Sequence, residues 1–488
     1  MSDAVSCKLC IVGAGLSGLN ALFVAADKLK KTDKVILIDR NVGAGGMWNN
    51  TYDHVRLHQP HRMFTVGNLA WEPKRPPAYL PTGAEVNEHL RSCVNRLRNR
   101  IDLTELYSHE MVSSEETPDG VEVTCKSLET GETVRVMAEK LIDASASDIP
   151  VSEPLKLQSS AVISTTPEQL QDHVYMESDT PIYVVGGGKT GIDTIGWLAK
   201  VAPNRKTILI NGKGVSFTRR ESAHPRGLSR WIDGDLFVRS FRNVAMEFDG
   251  TNENDAYEYF HDTYAISLRN SGLGHLFAYL SEEELETAEH HLQDIISDYI
   301  EDVIDTPAGP QLILRSRETR PVPAGSLIVN CTGYVMRRDR PEVPYLSDGG
   351  RILSITPRSA VFFLPAAGAF FLTQLFLTGK LPKTDVYSVD LTAMMDEDKR
   401  LLHMTAVSLS LLNHITFLDT IPVPDLLRCG LDIDRWFPLP RRGLLIMDLK
   451  LNGKRYQRHC RQSLAKVEER TGATHHSLSR SKRKLEAA

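Results

Sequence analysis

Two stretches of this chain run from four apolar residues straight into a turn with three spaced glycines. Leu9-Cys10-Ile11-Val12 leads into Gly13-Ala14-Gly15-Leu16-Ser17-Gly18, and Ile182-Tyr183-Val184-Val185 leads into Gly186-Gly187-Gly188-Lys189-Thr190-Gly191. Each reads as the turn between a buried strand and a helix, where missing β-carbons let backbone N–H groups approach a pyrophosphate at the helix's positive end. The pair predicts an α/β chain with two Rossmann-like dinucleotide-binding domains. Two nucleotides held in one polypeptide is the layout for passing electrons from one to the other.

The residues beyond each turn separate the two sites. After the first, the apolar strand Lys34-Val35-Ile36-Leu37-Ile38 ends in Asp39-Arg40. Asp39 falls about 20 residues beyond Gly18, where a Rossmann unit places the acid that bonds the adenosine ribose. An acid there repels a 2′-phosphate, so this site suits FAD or NAD rather than NADP. After the second, Lys206-Thr207-Ile208-Leu209-Ile210 ends in Asn211-Gly212-Lys213, with Arg219 and Arg220 close behind. A missing acid and nearby cations are what a 2′-phosphate needs, so NADPH is expected there, with NADH left open. Arg219-Arg220 could equally clamp a substrate carboxylate.

Length and composition narrow the class further. A chain of 488 residues can bury two or three cores, and its net charge of −5 gives no reason to expect nucleic-acid binding. The start, Met1-Ser2-Asp3-Ala4, lacks a basic and apolar leader, and a cytoplasmic location is expected. Seven scattered cysteines form no disulfide framework, and Cys10 of the pair Cys7/Cys10 falls inside the first strand. The apolar segment from Ala360 to Leu377 contains Pro365, Gly368 and Gln374 and is too short to span a bilayer, so it reads as strand, turn and buried helix, with no membrane contact. The pairs His290-His291 and His475-His476 read as solvated, and no metal site is expected.

Further motifs come after the first unit: Gly45-Gly46-Met47-Trp48, then Thr51-Tyr52-Asp53-His54-Val55-Arg56-Leu57-His58-Gln59-Pro60, then Tyr79-Leu80-Pro81-Thr82. With Leu141-Ile142-Asp143-Ala144-Ser145 and Leu327-Ile328-Val329-Asn330-Cys331-Thr332-Gly333-Tyr334, the chain resembles the flavin-containing monooxygenase family, its YUCCA-type branch especially. The resemblance covers roughly residues 5–215 and 322–380. It implies resident FAD, reduction by NADPH, and transfer of one atom of dioxygen to a small-molecule substrate through a C4a-hydroperoxyflavin. Carried over residue by residue, Gly13, Gly15, Leu16, Ser17 and Gly18 would cradle the FAD pyrophosphate, with Asp39 and Arg40 at the ribose. Met47, Trp48, Arg56, Leu57, His58 and Gln59 would lie where flavin, nicotinamide and substrate meet, His58 and Gln59 as the catalytic candidates. Met111 and Val112 would be near the adenine. Gly186, Gly188, Lys189, Thr190 and Gly191 would hold the NADPH phosphates, with Lys213, Arg219 and Arg220 beyond them and Thr332 and Gly333 at the turn between domains.

The chain departs from that pattern in two places. The family's Phe-x-Gly-x-x-x-His has no counterpart at residues 157–165, where Ser164 takes the histidine position, and His58 stands where the animal-type enzymes carry asparagine. The expected organisation is an FAD domain at 1–150 and 322–385 and an NADPH domain at 175–321 with a helical insertion at 215–320. A helical C-terminal region, 386–471, and a basic tail, 472–488, complete the chain. Within the insertion, Ser281 and Glu284 have capping-box spacing. N-hydroxylation of an amino acid or amine is the first expectation for the reaction. Sulfur oxidation, YUCCA-type keto-acid oxidation, and a flavin reductase without oxygen insertion stand as alternatives.

Overall fold

The computed structural model describes residues 5–145, 152–172, 179–270, 272, 274–333, 343–356, 359–390, 394, 398–473 and 475–477. Tyr334 and the basic end of the tail lie outside them. The first unit opens with β1 (Val5–Val12), α1 (Leu16–Lys28), β2 (Lys34–Ile38), α2 (Gly83–Arg98) and β3 (Asp102–Leu106). It continues with the meander β4 (His109–Thr117), β5 (Gly120–Ser127) and β6 (Thr133–Asp143). These strands form one sheet in the order β3-β2-β1-β6-β5-β4, parallel from β3 to β6 and antiparallel beyond. The β1 and β2 sequences are apolar runs because both sheet faces are covered there.

The second unit repeats the plan. Its elements are β7 (Ile163–Thr165), β8 (Ile182–Val185), α3 (Lys189–Val201) and β9 (Thr207–Ile210). The 215–320 stretch contributes β10 (Ser216–Arg219), α4 (Phe237–Glu247), α5 (Glu253–Tyr264), β11 (Ala265–Ser267), β12 (His275–Leu280), α6 (Glu282–His291) and β13 (Leu292–Ile296). A meander of β14 (Ile300–Thr306), β15 (Gly309–Leu314) and β16 (Thr319–Pro321) then leads to β17 (Leu327–Asn330). The parallel order is β13-β9-β8-β17-β7, so β9, β8 and β17 stand where β2, β1 and β6 stand in the first sheet.

That register moves two expected boundaries. β7 and β17 both belong to the second sheet, and the chain rejoins the first only at β18 (Ile352–Ser354), which pairs with β6. The 215–320 stretch is also not purely helical: it supplies β13 to the parallel sheet and a small sheet ordered β11-β10-β12. Ser281 and Glu284 do form a reciprocal capping box at the start of α6.

The apolar segment near 360–377 resolves into α7 (Pro365–Leu377), with Ala366 through Phe376 buried and Phe370 stacked on Phe23 of α1 at 6.2 Å. It is a core helix. The C-terminal region carries α8 (Lys399–Thr420) and α9 (Leu439–Thr471). By length and composition α8 could cross a membrane, but 83% of its apolar window is buried inside the protein. It packs with α4 and α9 around a core that includes Phe241, Phe260, Leu411 and Trp436.

Candidate functional site between two equivalent glycine turns

The two glycine turns are built alike, bond for bond. Gly13 N–H donates to the Ile38 carbonyl at 2.7 Å, and Gly186 N–H donates to Ile210 at 2.9 Å. Ala144 N–H reaches Val12 at 2.8 Å, and Cys331 N–H reaches Val185 at 2.9 Å. Gly13 and Gly186 hold φ of +98° and +107°, a left-handed region that favours glycine. A Cβ on Gly18 would lie 1.8 Å from the Gly13 oxygen, and one on Gly191 would lie 2.0 Å from the Gly186 oxygen. Gly15 and Gly188 then begin α1 and α3 with no side-chain cap and no acidic residue in the first turn. Such termini leave backbone donors and positive dipole ends for phosphate oxygens, so the residues present fit a pyrophosphate at each turn.

Equivalent positions carry opposite chemistry in the two units. Asp39, buried at the end of β2, accepts from Ala14 N–H at 2.5 Å, and from the backbone and side-chain amides of Asn41 at 2.8 and 2.9 Å. A carboxylate offers about four acceptor sites, so one remains for a ribose hydroxyl. Its counterpart at the end of β9 is Asn211, packed so close that a Cβ on Gly187 would meet its Oδ1 at 1.6 Å. That oxygen is buried without a hydrogen-bond partner. A second pair repeats the contrast at the ends of β6 and β17. Asp143 accepts from Ser145 N–H and Oγ at 3.0 and 2.6 Å, and Asn330 accepts from Thr332 N–H and Oγ1 at 3.1 and 2.5 Å. Sequence reading finds the first pair and misses the second. The signal is present all the same, as an Asp or Asn two residues before a Ser or Thr at both strand ends.

Residues 45–59 join the two units. Gly45 N–H donates to Ala14 at 3.0 Å, and a Cβ on Gly46 would lie 2.7 Å from the Gly15 Cα, so the Gly-Gly turn lies against the first glycine turn. Trp48 meets Phe64 edge-on at 5.6 Å, while Met47 is exposed. Tyr52 donates to Asp193 of α3 at 3.3 Å, and His54 stacks on Trp197 of the same helix at 5.0 Å. Both ring nitrogens of His54 are buried and unpartnered. The two family-like motifs also hold each other: Leu57 N–H donates to Pro81 at 2.9 Å, His61 N–H to Tyr79 at 3.1 Å, and Arg56 to Leu80 at 2.9 Å.

His58 lies where this segment meets the 215–320 stretch. Its Nδ1 accepts from Tyr279 N–H at 3.1 Å, its ring stacks on Tyr279, and its carbonyl accepts from Arg220 Nε at 2.8 Å. Desolvation, helped by Lys189 and Arg220, pulls its pKa down to about 3. Neutral His58 is an acceptor or donor of hydrogen bonds, not a proton carrier near pH 7. Beside it are His224, with both nitrogens unpartnered, and the unpartnered hydroxyl of Tyr279, neither anticipated from sequence. Gln59 is committed elsewhere, its Nε2 donating to Met63 at 2.9 Å, and Leu57 is core.

The expected phosphate cations do not gather at one point. Lys189 pairs with Asp193 and, at 3.4 Å, with Glu284, while Arg220 pairs with Glu284 at 2.7 Å. Burial drives the Glu284 carboxyl up, but Lys189, Arg220 and the Ser281 bonds reverse this and hold it below its ordinary range. Arg219, the last residue of β10, pairs with Glu282 at 3.5 Å and lines a cavity of about 360 Å³ with His261 and Ser267. Lys213 comes two residues after Asn211 and adds to the Arg400 hydrogen bonds that hold the Asp398 carboxyl below its ordinary range. Met111 is half-buried in β4, Val112 is 65% exposed, and β4 begins beside Asp39, where His109 N–H donates to the Asp39 carbonyl at 3.0 Å. Arg40 is exposed at the end of β2, and Gly333 is exposed beyond Thr332.

One histidine pair is corrected in half. His291 is buried, with Nε2 2.9 Å from Thr207 Oγ1, so it makes a core polar contact and is not a solvated residue. Among the described residues no cluster of metal-ligating side chains is present. All seven cysteines are free and buried, with burial pushing Cys7 up to about 12.

The enclosed histidines have a consequence for pH. His54, His58, His89 and His224 are held at about 4, 3, 3 and 3, below an ordinary 6.5. The unfolded chain therefore binds more protons than the fold, and this stability is present above about pH 6.5 and lost as pH falls toward about 3. The four histidines outweigh the opposing proton uptake by Asp434, whose carboxyl burial raises to about 7, so the thermal midpoint is expected to drop from about pH 7 to about pH 5. A midpoint that holds or rises over that interval contradicts the assignment.

No protein-family model matches the chain, and no curated protein matches it in sequence. Solved structures do match. Cyclohexanone-bound cyclohexanone monooxygenase superposes with a TM-score of 0.51 over 92% of this chain and 98% of its own, at 12% identity. Polycyclic ketone monooxygenase from Thermothelomyces thermophila gives 0.49 over 93% and 89%, at 12% identity. Ornithine hydroxylase from Pseudomonas aeruginosa gives 0.49 over 77% and 99%, at 14% identity. At such identities a likeness establishes architecture, and the chain has the two-dinucleotide-domain α/β fold found in flavin-dependent monooxygenases.

Proposed function

We propose that this protein is an FAD- and NADPH-dependent monooxygenase acting on a small organic molecule. The observation that carries the reading is the charge contrast between equivalent turns. Asp39 favours a nucleotide with free ribose hydroxyls, and Asn211 removes the charge that would repel a 2′-phosphate. When bound, FAD reduced by NADPH supplies the oxygen-activating chemistry. The chain's own part is to bind, orient and exclude water. Gly13–Gly18 and Asp39 hold the first nucleotide, Gly186–Gly191 and Asn211 the second, and neutral His58 with Tyr279 and His224 offers hydrogen-bonding atoms between them.

Within this class, nitrogen oxidation of an amino acid or amine is the reading we place first. The missing Phe-x-Gly-x-x-x-His and the Thr332-Gly333 turn support it. The alternative of a disulfide-exchanging reductase lacks an accessible thiol, since every cysteine is buried. The test is a screen of amines, amino acids, thioethers and keto acids for NADPH oxidation matched by oxygen consumption and product mass. A product heavier by one oxygen atom supports the proposal, with the oxidised atom assigned from the product. NADPH oxidation that yields no oxygenated product from any class favours the reductase.

Glu284 adds a specific expectation. It occupies Lys189, the first residue of α3, and Arg220, as a phosphate would. Glu284→Gln keeps the capping geometry but not the charge. It is expected to lower the KM for NADPH by about threefold to tenfold, the effect of one removed like charge near a phosphate. An unchanged or raised KM contradicts this role.

A further inference from the structure

Several of the most exposed apolar side chains fall in one loop and on the helix it is tied to. Leu228 and Ile232 are 82% and 80% exposed, and Trp231 between them is 50% exposed. Arg441 ties this loop to the start of α9, donating to the carbonyls of Arg230, Asp233 and Gly234 at 3.1, 2.5 and 2.7 Å. Along α9 itself, Leu444 and Leu451 are exposed seven residues apart, on one face. The core-facing side of the same helix is already filled by Leu445, Leu449, Leu464 and Val467. The exposed residues are thus surplus to the fold, and exposed apolar side chains grouped on neighbouring elements mark a docking face.

Charge identifies the occupant. Between Leu439 and Arg461 the helix carries seven Lys and Arg against one acid, Asp448, in a chain whose net charge is −5, and of the seven, Arg442, Lys450 and Arg461 pair with Asp432, Asp419 and Asp385. Asp448 is taken up by Arg242. Lys454, Arg455 and Arg458 continue the exposed face beyond Leu451, and Arg226 and Arg230 lie in the loop against its one exposed acid, Asp233; none of these five cations makes an ion pair among the described residues. Apolar tips, an interfacial tryptophan and surrounding long basic side chains are the make-up of a surface that enters the headgroup layer of an anionic bilayer. A second copy of the chain would set the same positive charges against each other. We infer that the 225–234 loop and the first half of α9 dock the protein on an anionic lipid surface, lying on it and not spanning it. This departs from the sequence expectation of no membrane contact, which rests on the segment 360–377 and has no means of locating exposed leucines.

The test is flotation of the full-length, FAD-loaded protein with vesicles of phosphatidylcholine alone or with phosphatidylserine. Binding to the mixed vesicles, weakened by added salt and slight on phosphatidylcholine alone, is the expected result. Combined Leu228→Ser, Trp231→Ser and Ile232→Ser, and separately Lys454→Glu, Arg455→Glu and Arg458→Glu, should each reduce binding by about tenfold or more, with flavin content and circular dichroism unchanged. No binding to the mixed vesicles, or undiminished binding by both variants, overturns the inference. So does a wild-type dimer that the serine variant converts to monomer while vesicle binding is absent, since the face would then be a protein interface.

Discussion

Gly191→Ala should leave a flavin-loaded protein that NADPH no longer reduces, while Gly18→Ala should yield protein without flavin. A methyl on Gly191 would stand 2.0 Å from the Gly186 oxygen, and one on Gly18 would stand 1.8 Å from the Gly13 oxygen. Neither carbonyl can retreat cheaply. The N–H groups of Gly13 and Gly186 are fixed to the neighbouring strands, and a Cβ on either residue would itself press on Ala144 or Cys331. The turn must open, and opening misaims the N–H groups that would meet the phosphates. Loss of two or three such hydrogen bonds, at about 1.5–3 kcal/mol each, corresponds to a hundredfold or greater loss of affinity. Flavin stoichiometry and anaerobic reduction kinetics read the two variants separately. Flavin lost from Gly191→Ala but kept by Gly18→Ala would invert the assignment of the two turns.

The second large effect is expected from Asn211→Asp. The backbone around Asn211 matches that around Asp39, with Asn211 N–H bonded to Ile296 as Asp39 N–H is to Leu106, at 2.9 and 3.0 Å. The fold should tolerate it. A 2′-phosphate should not, because two negative groups would share one partly enclosed position. A penalty of about 1.4–3 kcal/mol lowers kcat/KM for NADPH by tenfold to about a hundredfold, with NADH unchanged or improved. Steady-state kinetics with both nucleotides measure the ratio. Equal losses for NADPH and NADH would mean that Asn211 supports the turn and does not read the phosphate.

Much of the architecture is legible in the sequence because it rests on local rules. An apolar strand leading into spaced glycines permits few alternatives, and both turns appear where the glycines stand. The capping box at Ser281 and Glu284 and the core helix at 365–377 are equally local. Sequence spacing does not carry side-chain direction after the strands end. Arg219 and Arg220 are adjacent, yet one ends β10 and lines a cavity with His261, while the other begins a short helical turn and reaches the His58 carbonyl. Gln59 looks like a partner for His58 but is consumed by the short turn at Met63. His224 and Tyr279 are invisible to sequence reading because they reach His58 from a distant stretch of chain, placed there by tertiary packing alone. The equivalence of Asp143 and Asn330 emerges only when the two sheets are laid over each other.

Anaerobic mixing of the purified, flavin-containing protein with NADPH tests the division of labour between the two turns most directly. The visible absorbance of oxidised flavin is expected to bleach with NADPH, more slowly with NADH, and not at all in Gly191→Ala. A purified protein that carries no flavin and takes none up, or one whose flavin NADPH leaves oxidised, would contradict it.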